Sequence, residues 1–171
     1  MLRSWFWGPY SPLGLIVALI TLVADQGNKV WMLYVYDIGT KEPVYLTPFF
    51  DLILVWNKGI SYGMLQQESV SGRIALVAFA VIVSLFLIGW LARVTTGLAA
   101  VSIGLIVGGA AGNAIDRAVY GAVADFFSLH AFGFQWYIFN VADVAIVAGV
   151  IGLLYDSLFG GHKKAGNPSK M

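Results

Sequence analysis

Leu98 to Val119, LAAVSIGLIVGGAAGNAIDRAV, is the stretch whose reading decides the fold. Ala100, Gly104, Gly108 and Gly112 recur every fourth residue, so on an α-helix they line up as one smooth ridge. In lipid such a ridge lets a second helix backbone approach closely. A run of roughly 20 apolar residues crosses a hydrocarbon core of about 30 Å. The stretch therefore reads as a membrane span facing the inside of a bundle. Its far end changes character: Asn113, Asp116 and Arg117 are polar groups that lipid would penalise.

Three more apolar runs of spanning length lie on either side, at about 12–36, 74–91 and 141–159. The 171-residue chain is 59% hydrophobic and only 11% charged. A soluble domain of this size carries about a quarter charged residues, so part of the apolar surplus must face lipid. The expected fold is a mainly α membrane protein, a single domain of four transmembrane helices. The first run exceeds the apolar core of a signal peptide, and no small-residue cleavage site follows it. A net charge of +1 gives no basis for a nucleic-acid partner. The chain has no cysteine, which excludes disulfides, zinc ribbons and thiol nucleophiles. His130 and His162 stand apart without an HExxH pattern, which argues against a zinc hydrolase.

Four spans put both termini on one side, together with Arg93 and the basic tail, residues 160–171. Basic residues divide evenly between the two sides, whereas of the nine acids only Asp156 lies towards the termini. A cytoplasmic position for the termini is the expectation. The link between spans one and two holds Val44 to Thr47 and Phe49 to Trp56, rich in β-branched and aromatic residues and interrupted by Pro48. It reads as a small extracytoplasmic β-sheet, a flap over about 40–66 with the proline at an edge or bend. Such a flap would rest on headgroups or hold an extended peptide by strand addition.

Polar residues gather at one end of the bundle: Asp25, Gln26, Asn28 and Lys29 in span one, Asn113, Asp116 and Arg117 in span three, and Asn140 and Asp143 opening span four. Asp25 and Lys29, spaced i, i+4, suit a self-neutralising pair. Asp116 and Arg117 suit an interfacial ion pair, although Arg117's fork also fits carbonyl groups. Asn140 and Asp143 have the spacing of a capping box. Asp125, between spans three and four, has no lysine or arginine within seven positions and precedes Phe126 and Phe127. If the ends of spans three and four pack together, Asp125 meets Asp143. Two close carboxyl groups cannot both ionise, so they share a proton. The ionised member then activates water while the protonated one polarises a carbonyl.

Competing patterns exist. Gly59-Ile-Ser61-Tyr-Gly63 matches a nucleophile elbow, but that motif needs a large α/β sheet for which four spans leave no residues. A small transporter or channel subunit would use Asp25, Asp116, Asp125 and Asp143 as an ion relay. The acids cluster at one end rather than the midplane, and no internal repeat is visible. A presenilin-type protease would carry a GxGD block, which is absent.

Five blocks in order resemble the lipoprotein signal peptidase (signal peptidase II) family, and they cover nearly the whole chain. They are Asp25-Gln26-Gly-Asn-Lys29; Asn57-Lys-Gly59 with the following Ile-Ser-Tyr-Gly63; Gly108 through Asn113 to Asp116-Arg117; Val123-Ala-Asp125-Phe126; and Phe139-Asn140-Val-Ala-Asp143. The resemblance implies a bacterial inner-membrane aspartic peptidase. Such enzymes cut signal peptides from prolipoproteins just before a diacylglyceryl-modified cysteine. It implies Asp125 and Asp143 as the catalytic pair, with Asn57, Gly59, Asn113, Arg117 and Asn140 lining the site. Asp25, Lys29 and Asp116 would support it. It implies no metal or organic cofactor, and prolipoproteins and membrane lipid as partners; a monomer is the expectation, although nothing in the sequence sets the oligomeric state. Two departures are visible: Tyr137-Ile138 stand where a proline is common, and Val144 where a small residue is common.

Overall fold

A computed structural model describes residues 7–59, 69–132 and 134–159. Within them, helix α1 (Ser11–Val30) runs on into a π-helical turn, Trp31–Val35, and a short 3-10 turn, Ile38–Thr40, follows. Strands β1 (Val44–Thr47) and β2 (Phe50–Asn57) come next, then α2 (Val70–Leu91) and α3 (Gly97–Tyr120). Strands β3 (Val123–Ala131) and β4 (Phe134–Phe139) lead into α4 (Val141–Phe159). All four helical runs are long and apolar enough to cross a membrane. The second begins at Val70, earlier than the expected Ile74, because the Ser69 hydroxyl caps it by accepting the Gly72 N–H at 3.2 Å.

Helix α3 is the hub. In its most apolar window 61% of residues are buried, against 11–22% in the other three helices, which leave most of their surface to lipid. The glycine ridge explains the difference. A side chain at Gly104 would strike the Gly14 carbonyl and Val17, and one at Gly108 the Ala18 carbonyl and Thr21. The ridge thus packs on α1. Gly109, on another face of α3, packs against the Ala142 carbonyl of α4. At the opposite end of α3 from Gly112, Thr96 accepts the Ala99 N–H at 3.1 Å and donates its hydroxyl to Asp156 of α4 at 2.8 Å.

The sheet departs from the expectation. It is antiparallel with order β1-β2-β3-β4, so half of it comes from the link between spans three and four. A sheet confined to the link between spans one and two is therefore corrected. The reason lies in pairing: β3 is the strand that β2 needs along its second edge, and that partner lies about 70 residues away. Pro48 falls in the β1–β2 turn, and the part of the expected flap at 60–66 lies outside the described residues. The inner face of the sheet packs Met32 and Ile38 against Ala124 and Phe126, which seats β3 on the end of α1.

Candidate active site

Asp125 lies on β3, paired across the sheet with Val55, and is buried. Its two oxygens are held from different elements. Asn57 at the end of β2 donates to Oδ2 at 3.1 Å, and Asn140 donates to Oδ1 at 2.6 Å. Asn57 is itself set by a turn in which its Oδ1 accepts the Gly59 N–H at 3.0 Å.

Asp143 stands in the first turn of α4, half-buried. Asn140 and Asp143 form the reciprocal capping box. The Asp143 N–H reaches Asn140 Oδ1 at 3.0 Å, and the Asn140 N–H reaches Asp143 Oδ2 at 3.3 Å. One asparagine therefore ties the two carboxylates together. Capping and site assembly are one interaction here, not competing explanations.

Asn113 closes the circuit. Its Oδ1 accepts from Lys29 Nζ and from Asn140 Nδ2, both at 3.2 Å, so its own Nδ2 must be the atom that turns to Asp143 Oδ1, at 2.9 Å. Beneath this layer, Lys29 bridges two buried carboxylates, Asp25 at 2.8 Å and Asp116 at 2.7 Å. Asp25 also accepts the Ala142 N–H at 2.9 Å, and Asp116 accepts the Ala124 N–H at 3.2 Å. The charged triad thus grips the start of α4 and the start of β3, the two segments that carry Asp143 and Asp125. Gln26, to which the sequence reading attached no role, joins the triad by donating to Asp116 Oδ1 at 3.0 Å and to the Gly112 carbonyl at 3.2 Å. Its place in the polar cluster of span one, within the Asp25-to-Lys29 block, is the signal the sequence carries.

The pairing of Asp116 with Arg117 is corrected. Asp116 turns inward to Lys29, while Arg117 donates to two backbone carbonyls, Asn113 at 3.2 Å and Gly59 at 2.7 Å. Neighbours on a helix are about 100° apart and do not face each other. Among the described residues, Arg117 Nε is buried without a hydrogen-bond partner.

Four carboxyl groups meet two cations in this cluster, so complete ionisation would leave two excess negative charges at the membrane. Asp125 answers that excess: burial first, and the charge of Asp143 second, push its carboxyl up to about 7. The hydrogen bonds from Asn57 and Asn140 act in the other direction, as does the Lys29 charge.

The elbow reading loses its histidine. His130 Nε2 lies 2.7 Å from Asp51 Oδ2 across the β2–β3 pair, so His130 does not stand alone, and its partner is not Asp125. Ser61 lies outside the described residues. Among the described residues no group of three or more His, Asp or Glu side chains is arranged to hold a metal ion.

The fold and this cluster define a multi-pass membrane protein whose polar centre lies where a four-helix bundle meets a small sheet. The family model described as signal peptidase (SPase) II matches residues 17–159, and the chain belongs to that family of peptidases. It is 51% identical over 152 residues to the lipoprotein signal peptidase of Rhodopseudomonas palustris, covering 86% of this chain and 93% of that protein. It is 54% identical over 145 residues to that of Methylorubrum extorquens, covering 85% of each. Two solved structures described as bacterial membrane enzymes share the fold. One has a TM-score of 0.77 at 25% identity over 93% of this chain and 95% of its own. The other has a TM-score of 0.71, also at 25% identity, over 90% and 97%.

Proposed function

We propose that this chain is an aspartic endopeptidase that removes the signal peptide from diacylglyceryl-modified bacterial prolipoproteins, with Asp125 and Asp143 as its catalytic pair. The observation that carries the reading is Asn140, whose side-chain amide donates to the Asp125 carboxylate and whose backbone N–H donates to the Asp143 carboxylate. A carboxyl near neutrality beside a second carboxyl is the pattern of a dyad that shares one proton.

In the resting state one proton serves the pair. The ionised carboxylate draws a proton from water, and the water oxygen attacks the scissile carbonyl. The protonated partner meanwhile donates to the carbonyl oxygen. The roles then reverse as the leaving amine takes a proton. Asp143, Asn57 and Arg117 form the less buried edge of the network, so they are the groups a peptide would meet. Arg117, with a spare Nε–H, would hold substrate backbone alongside Asn57, Gly59, Asn113 and Asn140. Asp25, Lys29 and Asp116 act as positioning residues.

The family supports this substrate class, and the position of the carboxylates at the ends of the spans agrees with it. A diacylglyceryl cysteine keeps its acyl tails in lipid, which holds the scissile bond near the start of α4, within reach of water. The enzyme would lie in the bacterial inner membrane as a monomer, termini cytoplasmic and active site towards the extracytoplasmic face.

The test is cleavage of a diacylglyceryl-modified prolipoprotein by purified Asp125→Asn and Asp143→Asn variants in detergent. Loss of roughly a thousandfold or more in each is expected. Near-normal turnover by either folded variant refutes the dyad, and full loss in Ser61→Ala would revive the elbow.

A further inference from the structure

On the other side of β2 from the proposed dyad lies a cavity of about 340 Å³, lined by Ile38, Lys41, Pro43, Leu54 and Trp56 among others. Its volume falls within the range of small-molecule sites, about 300–1,000 Å³. Val55 pairs with Asp125 and Trp56 with Ala124, so Trp56 points away from the face that carries the carboxylate. The cavity is therefore a separate feature, and the cleavage chemistry makes no use of it.

Its walls fix its level. Ile38 to Pro43 follow directly on the end of the first span, and the Trp56 ring lies 5.3 Å from that of Tyr120, the last residue of α3. The cavity thus opens at the ends of two helices of membrane-crossing length, the level at which such spans meet lipid headgroups. Aromatic side chains at that level anchor a protein to the interface. Among the described residues that line it, Lys41 alone carries a charge. Its ammonium is held 4.9 Å from the centre of the Tyr36 ring. The nearby Asp37 carboxylate is engaged by the Thr40 hydroxyl at 3.0 Å.

We propose that this cavity is a binding site for the headgroup of an anionic phospholipid, with the phosphate on Lys41 and the glycerol end against Trp56, Leu54 and Pro43. A lone cation over an apolar, aromatic-walled hollow at headgroup depth matches a group that is anionic at one end and lipidic at the other. The surrounding bilayer supplies that ligand directly.

The test uses the full chain, delipidated in a neutral detergent and titrated with phosphatidylglycerol, with bound lipid counted by native mass spectrometry. Wild type should show one saturable lipid. Lys41→Gln should weaken it about fivefold, the effect of one lysine at a lipid surface. Pro43→Trp, which fills the hollow and keeps the lysine, should weaken it at least as much. Arg93→Gln, which removes one charge at the other end of the bundle, should leave it unchanged. Wild-type binding by either of the first two variants overturns the site. So does an equal loss in Arg93→Gln, or equal retention of phosphatidylcholine.

Discussion

The Asp25 carboxylate in α1 accepts the backbone N–H of Ala142, 117 residues further along the chain, at 2.9 Å. That bond makes Asp25 a cap for the buried end of α4, where free N–H groups would otherwise lack partners. The carboxylate cluster sits in the recess where α1, α3 and the start of α4 meet.

Lys29 holds that recess together. Lys29→Met would leave Asp25 and Asp116 buried with no cation between them. Breaking a buried pair by removing one partner costs about 3–5 kcal/mol. Thermal unfolding in detergent should show a large loss of stability; a melting temperature within a degree or so of wild type would contradict the bridging role.

Gly112 leaves room for the same carboxylate. A side chain at this position would fall on Asp25 Oδ2, the atom that meets Lys29. Gly112→Ala should destabilise the protein by about 1–3 kcal/mol, the usual cost of overpacking. Cleavage should fall along with stability, because Asp25 also positions α4. Full activity at unchanged stability would mean that the helices separate freely at this point.

Stability should also depend on pH through Asp125. Its folded-state pKa of about 7 lies above the ordinary carboxylate value. Its contribution to folding is thus complete below the unfolded pKa and is lost as pH rises through about 7. The melting temperature should fall as pH rises from the ordinary carboxylate value, about 4, to about 7, and Asp125→Asn should flatten that fall. A wild-type profile that rises over this interval would show the sign to be wrong.

Asn57 tunes the same group by donating to the Asp125 carboxylate. Asn57→Ala withdraws a hydrogen bond that favours the charged form, so the Asp125 pKa should climb further. The alkaline limb of kcat/KM should shift to higher pH, with a reduced maximum. An unmoved limb would uncouple Asn57 from the titration.

Arg117 engages the carbonyls of Gly59 and Asn113 with separate nitrogens of its fork. Arg117→Lys keeps the charge but cannot span both. Kinetics on the lipid-modified substrate should show activity reduced by roughly tenfold or more, about the 1.4 kcal/mol of one charge-assisted bond. Equal kcat/KM would show that the charge alone matters.

Much of this architecture is written locally. Four runs of lipid-compatible side chains, a glycine every fourth residue in α3, and an Asn140–Asp143 cap are patterns of period and composition, visible without neighbours. The i, i+4 geometry of Asp25 and Lys29 is likewise a property of one helix. What only the tertiary structure decided depends on segments far apart in the chain. The β2–β3 pairing seats Asp125 beside Asn57, Asp116 turns to Lys29 rather than to Arg117, and His130 finds Asp51. The physical reason is that a buried polar group must find some partner, but its own sequence neighbourhood does not say which. In this chain that choice falls to helix packing around α3 and to the β2–β3 pairing, which bring donors and acceptors from α1, α3, α4, β2 and β3 into one cluster.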